Sequence, residues 1–257
     1  MSGGVVLCKH QDGVATVTLN RPPARNAITV ELLVELRRIF AQLDADPDVG
    51  AVVLTGAGPA FCAGLDLREL RDQPGPELDP PPGSNGPWSP MGTPLIGAVN
   101  GPAVTGGLEF ALNCDLLIAS DRARFADTHA RVGVLPGWGL TVLLPMAVGR
   151  ARARYMSLTG NFVGAQDAAA AGLVSEVVPH DELLDRAQTI ASTIAGNDQR
   201  AVRALLRSYR AVDEEFVANA FDVEADAGRQ WRARSSDGGD AAARRESVIA
   251  RGRSQIS

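Results

Sequence analysis

Val14–Leu19, a helix-patterned stretch starting at Thr29, and Ala51–Thr55 follow one another directly along the chain. A strand, a helix and a strand in that order cannot form a tight hairpin. The connection has to cross over, which pairs the two strands parallel. Val14–Leu19 alternates Val14, Thr16 and Thr18 against Ala15, Val17 and Leu19, the period of a strand. Asn20-Arg21-Pro22-Pro23 stops it, and Thr29 can cap the helix with its hydroxyl. Leu32, Leu33, Leu36, Ile39, Phe40 and Leu43 then give that helix one apolar face. Asp46-Pro47-Asp48 ends it, and the turn Gly56-Ala57-Gly58-Pro59 follows the second strand. The class is therefore α/β. With 257 residues, 45% of them hydrophobic, the chain can build one large domain or a core with an appendage.

The same reading predicts strands at Val5–Leu7, Leu95–Val99, Leu116–Ser120, Arg124–Ala126 and Leu173–Val178. Helices are predicted at Gly106–Cys114, Trp138–Val148, Arg150–Leu158 and Ala165–Ala171, with a kink or break at Pro145 and a stop at Gly172. Asp72–Thr93 is dense in Pro, Gly and Ser and reads as a long mobile loop of the kind that covers a site. From Asp181 onward the pattern is helical and highly charged. Its stripe of Ala201, Leu205, Leu206 and Tyr209 must pack on something. The division is a core over residues 1–195 and a C-terminal helical segment over 196–257.

Several function classes fall away. A net charge of −5 and 5% aromatic residues give no support for binding nucleic acid. No apolar run approaches the roughly 20 residues that span a bilayer, so no membrane partner is expected. Cys8, Cys62 and Cys114 sit in apolar contexts without metal-ligand spacing and read as reduced core residues. His10, His129 and His180 lie far apart in sequence, so no metal site is expected. With no basic region leading into an apolar run at the N-terminus, a cytoplasmic location is expected.

Asn100–Ser120 carries the chemistry. It sets Glu109 among Leu108, Phe110, Ala111 and Leu112, just after Gly106-Gly107. A buried carboxylate costs several kcal/mol and is kept for a partner or a task. Either an arginine elsewhere pairs with it, or it moves protons. Glycines opening a helix bare its first N–H groups at the positive end of the helix dipole. Donors for a developing negative charge beside a proton-transferring group suit enolate chemistry on a carbonyl compound.

Six motifs, in this order and spacing, carry a resemblance. They are Ala60-Phe61-Cys62-Ala63-Gly64-Leu65-Asp66-Leu67, Val99-Asn100-Gly101-Pro102-Ala103, Thr105-Gly106-Gly107-Leu108-Glu109, Cys114-Asp115, Pro136-Gly137-Trp138-Gly139, and Leu158-Thr159-Gly160 with Ala170-Ala171-Gly172-Leu173-Val174. Together they resemble the crotonase superfamily, the enoyl-CoA hydratase/isomerase proteins, from Leu19 to about Pro179. The resemblance implies a spiral of ββα units, a C-terminal helical segment in trimer contacts, and a homotrimer or dimer of trimers. It implies an acyl-CoA thioester as substrate, with coenzyme A entering as part of it and no separate cofactor. It further implies that the thioester oxygen sits between the N–H groups of Leu65 and Gly106, and that Glu109 is one of the hydratases' two glutamates.

The second glutamate's position, counted from Phe125 and back from Gly133, holds His129. A histidine can give and take protons near neutral pH. It can serve as second acid/base, hydrogen-bond Glu109, or line the pocket. Asp127, two residues before it, is a lesser candidate for the same role and reads first as part of a surface turn. The family's adenine and pantetheine contacts map onto backbone at Ala24–Asn26 and Ala63–Leu67, which makes Ala24, Arg25, Ala63, Gly64, Asp66 and Leu67 candidate substrate contacts. Arg25 and Arg68 can meet phosphates or stand exposed, and Asp66 can cap its own turn. Trp138 replaces a small residue, which adds bulk in the core or at the acyl site. Trp88 either closes over an acyl chain or anchors its loop. The implied activity is an enoyl-CoA hydratase. A Δ3-Δ2-enoyl-CoA isomerase using Glu109 alone, or a non-catalytic acyl-CoA-binding paralogue, stands as the alternative.

Overall fold

Parallel pairing by crossover organises the molecule. A computed structural model describes residues 4–66, 78–217, 219–234 and 250–251. The first hairpin joins β1 (Val6–Gln11) antiparallel to β2 (Val14–Leu19). Helix α1 (Val30–Ala45) then carries the chain to β3 (Ala51–Gly56), parallel to β2. The Thr29 hydroxyl accepts the Leu32 N–H at 3.1 Å, and all six apolar-face residues of α1 are buried. The strands β4 (Leu95–Val99), β6 (Leu116–Ser120) and β9 (Glu176–Val178) complete a six-stranded sheet in the order β1-β2-β3-β4-β6-β9.

A second sheet turns the crossovers into a spiral. After β4 the chain forms β5 (Pro102–Val104) and then α2 (Gly106–Leu112). After β6 it forms β7 (Arg124–Ala126) and the one-turn helix α3 (His129–Val132). β5 pairs parallel with β7, which pairs antiparallel with β8 (Val163–Gly164). These two turns each give one strand to each sheet and then a helix, the ββα unit the resemblance implies.

The central strands β3 and β4 are buried at every residue, on both faces of the sheet, which is why they read as continuous apolar runs. Val52 and Leu54 face the main core, and Ala51 and Val53 face α6 (Leu183–Ala195). Helix α4 (Leu140–Thr159) runs through Pro145 and breaks instead at Gly149, whose φ of 74° leaves the helical region. Helix α5 (Ala165–Ala170) follows β8, and β9 starts at Glu176, later than the predicted Leu173. Leu173 and Val174 are buried in the core without being strand.

The remaining helices are α7 (Gln199–Val217), which buries no residue, and α8 (Ala220–Arg234), which buries Glu224 and Gly228. Of the proline-rich stretch, residues 72–77 lie outside the described residues. In the rest, Trp88 is buried and anchors the chain, its ring 4.9 Å from Phe40 and 5.1 Å from Phe110. Cys62 is buried as expected, whereas Cys8 is exposed, because β1 is the edge strand.

Candidate active site

The register of β5 on β7 builds the site. Val104 lies opposite Ala126, so the turns leaving the two strands stand side by side. One turn enters α2 and carries Glu109; the other enters α3 and carries His129. The carboxyl ends of parallel strands are where open α/β sheets commonly place ligands. Thr105 is held at φ 56°, ψ −113°, a conformation that costs a non-glycine residue about 1–3 kcal/mol. Its N–H donates to the Ala126 carbonyl at 2.8 Å, and its hydroxyl accepts the Thr128 N–H at 3.3 Å. The two turns therefore hold each other.

Glu109 is 2% exposed. Its Oε1 accepts the N–H groups of Trp138 at 2.8 Å and Gly137 at 3.2 Å. Its Oε2 lies 3.6 Å from His129 Nε2. No arginine pairs with it among the described residues. Burial pushes its carboxyl from 4.5 up to about 7; the charge of Glu224 pushes the same way, while His129 and the two backbone donors oppose.

Asp127, expected in a surface turn, is buried behind the imidazole. Pairing with β5 draws β7 and the residues just after it into the core. Its Oδ1 lies 2.6 Å from His129 Nδ1 and accepts the His129 N–H at 3.1 Å. Burial is the largest single influence on Asp127 and favours its proton. Hydrogen bonds and charge from His129, with the Ser157 hydroxyl, outweigh it and lower the pKa. An ionised Asp127 puts a proton on Nδ1 and leaves Nε2 to face Glu109. For His129 too, burial is the largest influence and works against charge. The Asp127 hydrogen bond and the Glu109, Asp127 and Glu224 charges reverse it, raising the pKa above 6.5.

Asp127, His129 and Glu109 thus form a buried file of proton-handling groups. The 3.6 Å between Nε2 and Oε2 exceeds a good hydrogen bond, so both atoms can address one small molecule between them. With its carboxyl near 7, Glu109 can both take and give a proton at neutral pH.

Two backbone donors lie close by. Gly106 is the first residue of α2, so its N–H has no acceptor within the helix. Leu65 forms a parallel bridge with Ile28: the Ile28 N–H donates to the Gly64 carbonyl, and the Asp66 N–H to the Ile28 carbonyl. Backbone alternation turns the Leu65 N–H away from that bridge. A Cβ on Gly64 would stand 3.5 Å from the Gly106 nitrogen and 2.8 Å from the Val104 carbonyl oxygen, so the two segments are in contact.

Ala63 joins this group, its N–H donating to the Arg25 carbonyl at 3.0 Å. Ala24 and exposed Arg25 are thereby brought beside Ala63–Asp66 through backbone. The Asp66 carboxylate is 3.2 Å from Arg21 Nη2 in an ion pair. Leu67 and Arg68 lie outside the described residues. Trp138 is core and site at once. It is buried, its ring 5.7 Å from that of Phe110, its indole N–H donating to the Leu78 carbonyl at 3.0 Å. A Cβ on Gly106 would meet that ring at 3.4 Å.

Sequence reasoning ranked one polar residue here too low and missed two. Asp127 had a readable signal, an acid two residues before a histidine at a strand end. Asn26 is fully buried and ties the Arg21 N–H to the carbonyls of Ala57, Ala60 and Phe61, fixing the segment around Arg25. Glu224 reaches the site from α8, and its charged surroundings in sequence carry no hint of burial.

Residues 9–238 match the enoyl-CoA hydratase/isomerase family. A probable enoyl-CoA hydratase of Mycobacterium bovis is 38% identical over 221 residues, 85% of each chain. The solved structure of an enoyl-CoA hydratase from Mycobacterium smegmatis superposes with a TM-score of 0.82 at 52% identity, covering 90% of this chain and 99% of that one. A monofunctional enoyl-CoA isomerase from the same organism superposes with a TM-score of 0.70 at 34% identity, covering 82% and 95%. In matched length, in its spiral of ββα units and in its helical C-terminus, the chain belongs to the enoyl-CoA hydratase/isomerase family, the crotonase superfamily.

Proposed function

We propose that the protein is an enoyl-CoA hydratase in which Glu109 and His129 act together as the acid/base pair. The observation that carries this reading is the file Asp127–His129–Glu109, whose two reacting atoms stand 3.6 Å apart. A water held between them attacks the β-carbon of a trans-2-enoyl thioester and gives its proton to the Glu109 carboxylate. The electron pair of the double bond moves onto the thioester oxygen, and the Leu65 and Gly106 N–H groups stabilise the enolate. The His129 imidazolium then protonates the α-carbon from Nε2. Removing one such oxyanion donor typically costs about 3–4 kcal/mol of transition-state stabilisation.

In this reading the acyl-CoA thioester lies along Ala24, Arg25, Ala63, Gly64, Asp66 and Leu67, with Trp138 beside the acyl group. Hydration is redox-neutral, so no redox cofactor is required, and no metal is assigned a step. Three unpaired cysteines fit a reducing, cytoplasmic location. The assembly is a homotrimer or dimer of trimers formed through residues 196–257. The support for it is α7, where Leu205 and Phe216 are 60% and 83% exposed.

Turnover of a short and a long trans-2-enoyl-CoA, with the product weighed, tests the reading. The expected product is heavier by one water. Glu109→Gln abolishes it, and His129→Ala slows it about 10²–10⁴-fold. A shifted double bond with no added water would instead assign the isomerase reaction. Tight binding without turnover, indifferent to Glu109→Gln, would assign the non-catalytic role.

A further inference from the structure

Glu224 is a buried carboxylate that the proton-transfer steps do not use. It stands on α8, far along the chain from the acid/base pair, and is 7% exposed. Its Oε1 accepts the Gly139 N–H at 2.6 Å, and its Oε2 accepts the Thr141 N–H at 2.6 Å and the Thr141 hydroxyl. Gly139 is the N-cap of α4 and has no side chain to cap it with. Glu224 supplies that cap from another helix and places a negative charge at the positive end of α4.

The preceding two N–H groups of the same segment, those of Gly137 and Trp138, both go to Glu109. Residues 137–141 are therefore stretched between two carboxylates, the site's own on one side and the C-terminal helix's on the other. Phe221, one helical turn before Glu224, packs against Gly139, and the Trp231 indole N–H donates to the Gly133 carbonyl at 3.0 Å. Helix α8 thus lies along the whole segment that feeds donors to Glu109.

We propose that Glu224 is a positioning residue for Glu109, anchoring residues 137–141 so that two N–H groups meet the Glu109 carboxylate, and adding its own negative charge nearby. This rests on the reading of Glu109 as an acid/base. The charged groups facing Glu109 among the described residues are His129 from α3, with Asp127 behind it, and Glu224 from α8. His129 draws Glu109 towards ionisation and Glu224 opposes it. Glu224 thereby keeps the proton of Glu109 exchangeable near neutral pH.

Glu224→Gln separates charge from shape, because the amide keeps the length and one acceptor oxygen. The midpoint of Glu109 titration should move to lower pH by about half a unit or more, as expected for loss of a nearby like charge. It is read in two ways: from the acid limb of kcat/KM, and from carbon-13 carboxyl NMR of glutamate-labelled protein, with Glu109 assigned by Glu109→Gln. A residue that only capped α4 would lower the melting temperature and leave the midpoint in place, and that result overturns the proposal. If Glu224→Gln does not fold, Glu224→Asp keeps the charge but shortens the reach. A fall in kcat of about tenfold with KM held supports positioning, and an unchanged kcat refutes it. The NMR midpoint needs no turnover. A parent that fails to hydrate any enoyl-CoA would sink the hydratase reading while Glu224 is still judged by the titration.

Discussion

Glu109 occupies a place that no carboxylate takes for the sake of stability. Its folded-state pKa is raised from 4.5 to about 7, so between those values the folded protein holds a proton that the unfolded chain has released. Stability therefore falls as pH rises through that window and stays reduced above it. At about 1.4 kcal/mol per unit, the cost is on the order of 3 kcal/mol once both states are ionised. Glu109→Gln, whose amide oxygen can still accept from Trp138 and Gly137, should melt at a higher temperature than the parent above pH 7. That advantage should shrink towards pH 4.5. Melting curves across this range check it, and a variant that gains nothing above pH 7 would contradict the assigned cost. The residue proposed as the acid/base is thus one the fold would be firmer without.

At the scale of elements, two short strands decide where the chemistry goes. β5 and β7 have three residues each, too few for a period of two to show. Of these, Arg124–Ala126 was legible in the sequence and Pro102–Val104 was not. The longer elements were legible because their patterns repeat. The Thr29 cap, the buried face of α1, and the strands Leu95–Val99 and Leu116–Ser120 stand where the residues put them. Proline at 145 misled, since α4 runs on through it; the break falls at Gly149, whose positive φ lies between the predicted helices Trp138–Val148 and Arg150–Leu158. Glu109, His129, Gly106 and Leu65 were legible by motif. The partners of that site were less so: Asp127 owes its burial to a sheet register, and Glu224 its position to a helix arriving from another part of the chain. Close packing of α2 on the Cys62 segment makes a sharp prediction. A Cβ at Gly107 would stand 2.1 Å from the Cys62 carbonyl oxygen, so something must move. Gly107→Ala should cost about 1–3 kcal/mol in a denaturant titration and lower kcat, because α2 carries both Gly106 and Glu109. Unchanged stability and rate together would show that the two segments are not in firm contact.

For the whole molecule, α7 is a long helix that fully buries no residue. Leu205, Tyr209, Val212 and Phe216 remain exposed along it, a patch of the kind that subunits cover. The proposed trimer predicts that Leu205→Glu with Phe216→Glu drops the particle to one-third of its mass or less in sedimentation. A parent that already sediments as a single chain would remove that assembly from the reading. The segment 137–141 carries a consequence of another kind, in time. Proteins are made from the N-terminus onward, and Glu224 follows its donor partners Gly139 and Thr141 by 85 and 83 residues. A chain still on the ribosome has its acid/base pair long before it has the carboxylate that steadies the loop beside it. Synthesis therefore leaves residues 137–141 without their second anchor until α8 has emerged.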